Sequence, residues 1–182
     1  PMPLSLTLPP AYGGEGIRYG MDLLDRFLGH DVDTTRQMLQ LCRHLSDQQL
    51  DRDFAIGHGS LRATFHHTVW NIEAWTDIMS GRTRRDEPDQ SQRSIETMIA
   101  RLDAIYADFA SLAKRVQAQG KLDEMFVDII DDPPRAKTFG SAIVHVITHS
   151  MHHRAQVLNI MRQLGMTNLI EGDAESWERD RR

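Results

Sequence analysis

The chain has 182 residues, 40% of them hydrophobic and 26% charged, the balance of an ordinary globular protein and enough for one domain with a real core. A net charge of −5 argues against a general nucleic-acid binder, no run approaches the ~20 apolar residues that span a bilayer, and the single Cys42 excludes an internal disulfide or a cysteine-based zinc site. The opening Pro1–Pro10 lacks the basic start and long apolar core of a signal peptide, so a cytoplasmic protein is expected.

Residues 1–15 are rich in Pro and Gly and predict an extended arm. A long helical pattern follows from about Ile17 to Leu45, with Gly29 near its middle as a kink site. A connection from Ser46 ends at Gly57-His58-Gly59. Ser60 then has the chemistry to cap a second helix through Met79, stopped by Gly81. Gly81-Arg82-Thr83-Arg84-Arg85 is the one basic knot, and Asp86-Glu87 follow it directly, as in a solvated loop. Ser91 or Ser94 can cap a third helix to about Gln119. Within it Ile95, Met98, Ile99, Leu102, Ile105, Tyr106, Phe109, Leu112 and Val116 recur at three- and four-residue steps. Residues 121–137, with Pro133-Pro134, read as irregular. A fourth helix runs from about Thr138 to Leu164 and stops at Gly165, and the tail holds one short helix around Glu175-Ser176-Trp177. Four long helices and no convincing strands predict an all-α four-helix bundle over residues 16–165, between an arm (1–15) and a C-terminal tail (166–182).

Nine histidines are present, and helical periodicity sorts them. In the fourth helix Phe139, Ile143, Val146, Ser150, His153, Val157, Ile160 and Leu164 follow the alternating steps of one inward seam. At ~100° per residue, His153 lies within about 20° of Val146 and His149 about 60° to one side, whereas His145 and His152 fall at the border. In the second helix His66 shares its face with Arg62, Glu73 and Asp77, a charged and wet surface on this reading. His67 shares its face with Ala63, Asn71, Ala74 and Ile78. Histidines four apart stand one turn apart on a helix and can grip one ion, and a third from a neighbouring helix leaves an open position. His67, His149 and His153 are therefore the candidate metal ligands. Asn71 and Gln156, near them along the helices, are candidates to hydrogen-bond the ligands.

At these residues the sequence resembles a known family. His149-Ser150-Met151-His152-His153-Arg154-Ala155-Gln156 is similar to the H-x-x-x-H-R-[G/A]-Q signature of the DinB/YfiT-like proteins, with Ala155 where glycine is frequent. Leu61-Arg62-Ala63-Thr64-Phe65-His66-His67 resembles the family's earlier L-x-x-x-x-x-H block. The resemblance covers roughly residues 20–165. It implies an up-down-down-up four-helix bundle, commonly a homodimer, with a divalent metal such as nickel or zinc on His67, His149 and His153. Relatives include transferases and isomerases that use low-molecular-weight thiols, metal-dependent hydrolases, and damage-induced proteins of unknown activity.

Three neutral imidazoles would leave an ion most of its charge. It could favour the thiolate of a small thiol cosubstrate or lower the pKa of water. No Glu or Asp lies within the His149–His153 turn and H-E-x-x-H is absent, which, together with the resemblance to thiol-using relatives, favours thiol-dependent S-transfer on a small-molecule substrate over hydrolysis. Asp128 or Asp131 could supply a base from outside the helices, though solvated loop charges are the simpler reading. Trp70 and Trp75 read as core or dimer contacts, Arg154 as an interface or structural ion-pair residue, and the terminal Arg179-Asp180-Arg181-Arg182 as a frayed tail. A di-iron bundle is disfavoured because no Glu is followed by His three residues later. A non-enzymatic stress-response protein with a closed metal site is the remaining alternative. Neither nucleic acid nor membrane is an expected partner.

Overall fold

The computed structural model describes residues 21–130 and 132–181; the predicted arm, the start of the first predicted helix, Asp131 and Arg182 lie outside them. Four long helices dominate: α1 (Leu23–Leu41), α3 (Leu61–Met79), α4 (Ile95–Ala118) and α5 (Phe139–Gln163), with a one-turn α2 (Asp47–Leu50) and a short α6 (Ala174–Arg179). Each long helix begins at an oxygen-bearing side chain that accepts from an otherwise orphaned backbone N–H: Asp22, Ser60, Ser94 and Thr138. Gly81, Gly120 and Gly165, just past three of the helix ends, take positive φ of 67–78°, a conformation a Cβ disfavours.

α3 packs against α4 and α5, and α1 packs against the same two. The core between them includes Phe65, Ile72, Phe109, Met98, Leu102, Ile160 and Val146, all essentially without exposure. The nine α4 positions picked out by periodicity are all buried, as are Ile143, Val146, Ser150, His153, Val157 and Ile160 of the α5 seam.

Three features depart from the sequence expectation. The segment read as irregular holds an antiparallel hairpin of β1 (Met125–Asp128) and β2 (Arg135–Thr138), so the fold is mostly helical rather than all-α. These strands are four residues long, and the exposed Met125 and Val127 are as apolar as Phe126 between them, so no apolar–polar alternation in the sequence marks β1. The face of His66, Glu73 and Asp77 is buried, not wet. The basic knot folds back over it: Arg85 Nε donates to Asp77 Oδ2 at 2.7 Å, Arg82 Nε to Asp77 Oδ1 at 2.9 Å, and Arg101 of α4 donates twice to Glu73 at 2.6 and 3.0 Å. These donors, Arg85 first, hold the Asp77 carboxyl down at about 2. The tail is likewise tied down, since Arg181 pairs with Asp33 and lies 4.9 Å over the Trp177 ring.

Gly29 marks a close approach. α1 runs through it, and a Cβ there would lie 2.7 Å from the buried Trp177 ring, whose Nε1 donates to Asp33 Oδ2 at 3.1 Å. Ala ordinarily gains about 1 kcal/mol over Gly inside a helix, while overpacking costs roughly 1–3 kcal/mol. With the indole held by its bond to Asp33 and covered by Arg181, crowding wins: Gly29→Ala is predicted to lower the thermal midpoint by a few °C. A raised midpoint would contradict this packing.

Candidate metal centre

α3 and α5 bring the three predicted ligands together. His67 Nε2 lies 3.4 Å from His149 Nε2, and His149 Nε2 lies 3.2 Å from His153 Nε2. The His67 and His153 rings are 4.8 Å apart. Tetrahedral ligands at metal–nitrogen bonds of about 2.0–2.1 Å stand about 3.3–3.4 Å apart. Both Nε2 separations lie near that edge, so each pair is spaced as two ligands of one ion would be.

A fourth histidine joins them. His58 stacks on His67 with ring centroids 3.8 Å apart and 26° between planes, and its centroid is 5.2 Å from that of His153. His58, His67 and His153 offer one nitrogen each within 4.8 Å of one another, a cluster that can hold a metal ion. His67 and His153 belong to both groupings. His58 escaped the sequence reading because it sits in a loop, where no helical period assigns it a face. A histidine between two glycines just ahead of the Ser60 cap was its only signal.

Gln156 bonds two of the α5 histidines. Its Oε1 accepts from His153 Nδ1 at 2.8 Å, and its Nε2 donates to His152 Nε2 at 2.8 Å. The first bond places the His153 proton on Nδ1 and leaves the Nε2 lone pair facing the cluster. Asn71 Oδ1 and His149 Nδ1 are both buried without a hydrogen-bond partner among the described residues. His145 and His152 are exposed beside the cluster, with rings 5.1 Å from His149 and 5.3 Å from His153. His66 points away, bonded to Glu87 Oε1 at 3.0 Å.

Asp128 is not a free acid for this site: it is fully buried, and Lys137 Nζ lies 2.6 Å from its Oδ2. Asp131 lies outside the described residues. Trp75 belongs to the core, edge-on to Phe126 and 5.2 Å from the His145 ring. Arg154, next to His153, forms the expected structural ion pair with Asp31 on α1.

Burial first, and then mutual repulsion, press the imidazoles toward neutrality: His67 falls from 6.5 to about 4, His149 to about 3, and His153 is lowered too. Neutral nitrogens are the form that binds metal, so protons should compete only well below the usual histidine range. The same shifts act on stability. An unfolded chain protonates these histidines near ~6.5, whereas the folded one resists until about 3–4, so stability is full above ~6.5 and is lost as pH falls from there toward the folded values. The chelator-treated chain is predicted to lose roughly 5 °C in midpoint between pH 7.5 and pH 5, and a His67→Gln/His149→Gln double variant to lose less. Equal slopes for the two proteins would refute the shifts.

The DinB family model matches residues 21–177, which takes in the cap of α1, the whole histidine cluster and most of α6. No curated protein matches the chain. A DinB-like protein from Bacillus cereus ATCC 10987 shares the fold with a TM-score of 0.60 at 21% identity, over 81% of this chain and 95% of that one. A DinB-family structure from Exiguobacterium sibiricum 255-15 aligns with a TM-score of 0.57 at 19% identity, over 85% of this chain and 100% of that one. The family match over most of the chain, joined to a fold shared with these structures, makes this protein a member of the DinB family.

Proposed function

We propose that the protein is a divalent-metal-dependent enzyme, a low-molecular-weight-thiol-dependent S-transferase, with His67, His149 and His153 as ligands and zinc or nickel as the ion. The observation that carries this reading is the pair of Nε2 separations, 3.4 and 3.2 Å, between neutral imidazoles on two facing helices. A bound ion with three neutral ligands supplies positive charge at an open position, where it lowers the pKa of a thiol or of water.

The protein's own residues set the rest. Gln156 fixes the His153 tautomer through Nδ1. Asn71, one turn from His67, stands on the facing helix to His149, and both keep an unsatisfied buried atom suited to a shared bond. Asp128 is neutralised by Lys137, and Glu87 is engaged by His66 and Arg93, so the nearby acids have other partners. Hydrolysis wants a general base near the attacking water, and this arrangement favours a nucleophile that needs none.

Two structural readings belong with this proposal. Up-down-down-up helix order is supported by paired contacts. Along α3 and α5 they run in opposite senses (His67 with His149, Trp75 with His145). Along α3 and α4 they run in the same sense (Glu73 with Arg101, and Arg82, just past the end of α3, with Asp108). α1 and α4 oppose (Arg36 with Asp103, Asp25 with Lys114). Homodimerisation is supported by exposed Leu23, Phe27, Val144 and Met151 on α1 and α5, and sedimentation of Phe27→Asp against the wild type would test it.

The functional test is optical. The cobalt-loaded chain, titrated with bacillithiol, mycothiol, glutathione or cysteine, is predicted to develop a saturable sulfur-to-cobalt charge-transfer band with at least one of them. No band with any thiol, together with ester or amide hydrolysis lost in His153→Ala, would instead establish a hydrolase. Failure of both thiols and substrates to reach the cobalt would leave a closed site without catalysis.

A further inference from the structure

Outside the helices, one side chain stands over the cluster on a backbone built to hold it there. Gly57 and Gly59 flank His58 at positive φ of 61° and 86°. A Cβ on Gly57 would lie 2.9 Å from Thr64 Oγ1 and 3.0 Å from Gln156 Oε1, so only glycine lets the loop press against α3 and α5 at this height. The loop is closed by Phe54 N–H donating to Gly59 O at 2.6 Å, and it is anchored to α3 where His58 N–H donates to Thr64 Oγ1 at 3.2 Å. Gln156, which orients His153, therefore also sets how closely the loop approaches.

The His58 ring itself is exposed and leans parallel on His67. The stacked ring keeps one nitrogen within 4.8 Å of those of His67 and His153, wider than the edge of about 3.3–3.4 Å between tetrahedral ligands, so His58 closes on a shared ion by moving. With its backbone fixed and its ring free, a turn about its side-chain torsions is all that separates the stacked pose from one aimed between His67 and His153.

Resting on the three-histidine metal site proposed above, we infer that His58 is a displaceable fourth ligand. It swings from its stack on His67 to donate a nitrogen lone pair to the ion's open position, and it yields that position to an incoming anion or thiolate. The exchange is one of ligands alone: one metal–nitrogen bond breaks as one bond to the newcomer forms, with no change of oxidation state. Its effect is selective access, because a ligand tethered beside the ion competes at high effective concentration with weak external ligands such as water.

Azide binding to the cobalt-loaded full chain reads this directly. Wild type and His58→Ala are both expected to take up one cobalt per chain. His58→Ala is expected to bind azide about tenfold more tightly, since removing an internal competitor restores the fraction of open sites. Gly57→Ala keeps the histidine but crowds Thr64 and Gln156, and it should bind azide as His58→Ala does. Full cobalt uptake with equal azide affinity in wild type and His58→Ala would overturn the role of His58 alone. Absence of cobalt uptake by the wild type would overturn the metal site and this inference with it.

Discussion

Imidazole nitrogens that converge to little more than 3 Å must share a proton in an N–H···N bond or share a cation, and the packing of α3 on α5 sets that convergence. His67 and His149 face each other across the two helices, with His153 one turn further along α5. A slide of one residue on either helix would swing an imidazole by ~100° and end the convergence. The cluster is thus a register device as well as a candidate site. Burial keeps its members neutral, and Gln156 decides which nitrogen of His153 points inward.

Two polar networks hold the surrounding helices to that register. On one side the buried Arg154 and Asp31 pair links α5 to α1, and Tyr106 of α4 donates its hydroxyl to Asp31 Oδ2 at 2.9 Å. Three helices thereby meet beside His153. On the other side the buried Glu73 and Asp77 of α3 are satisfied by Arg101 of α4 and by Arg82 and Arg85 of the following loop. Breaking a buried pair leaves an uncompensated charge that costs more than the pair itself contributes, so such networks fix geometry more than they add stability. The basic knot is in this light a clamp on α3 rather than a solvated loop.

Much of the helical framework was legible because burial writes its period into sequence. α4 is the clearest case, with every apolar position at a three- or four-residue step buried. The same logic separated His153 from His152, and His149 from His145. It failed where burial comes from chain segments distant in sequence. His66, Glu73 and Asp77 look like a wet face until the loop after α3 folds over them, and no local pattern announces that return. The hairpin escaped because four-residue strands with exposed Met125 and Val127 carry no alternation to detect. His58 escaped because a loop residue has no period at all; its placement depends on the positive φ of Gly57 and on the contact with Gln156, both features of the folded chain. Gly29 was visible, but as a kink site, and its packing role appears only with Trp177 beside it.

The account rests on the histidine cluster being a metal site. X-ray absorption of the untagged chain, purified without metal-affinity resin and loaded with one equivalent of zinc or nickel, tests this most directly. The account predicts a first shell of three or four imidazole nitrogens at about 2.0–2.1 Å, with the imidazole count falling by one in His149→Ala. An oxygen-only shell, or a spectrum that His149→Ala leaves unchanged, would contradict it.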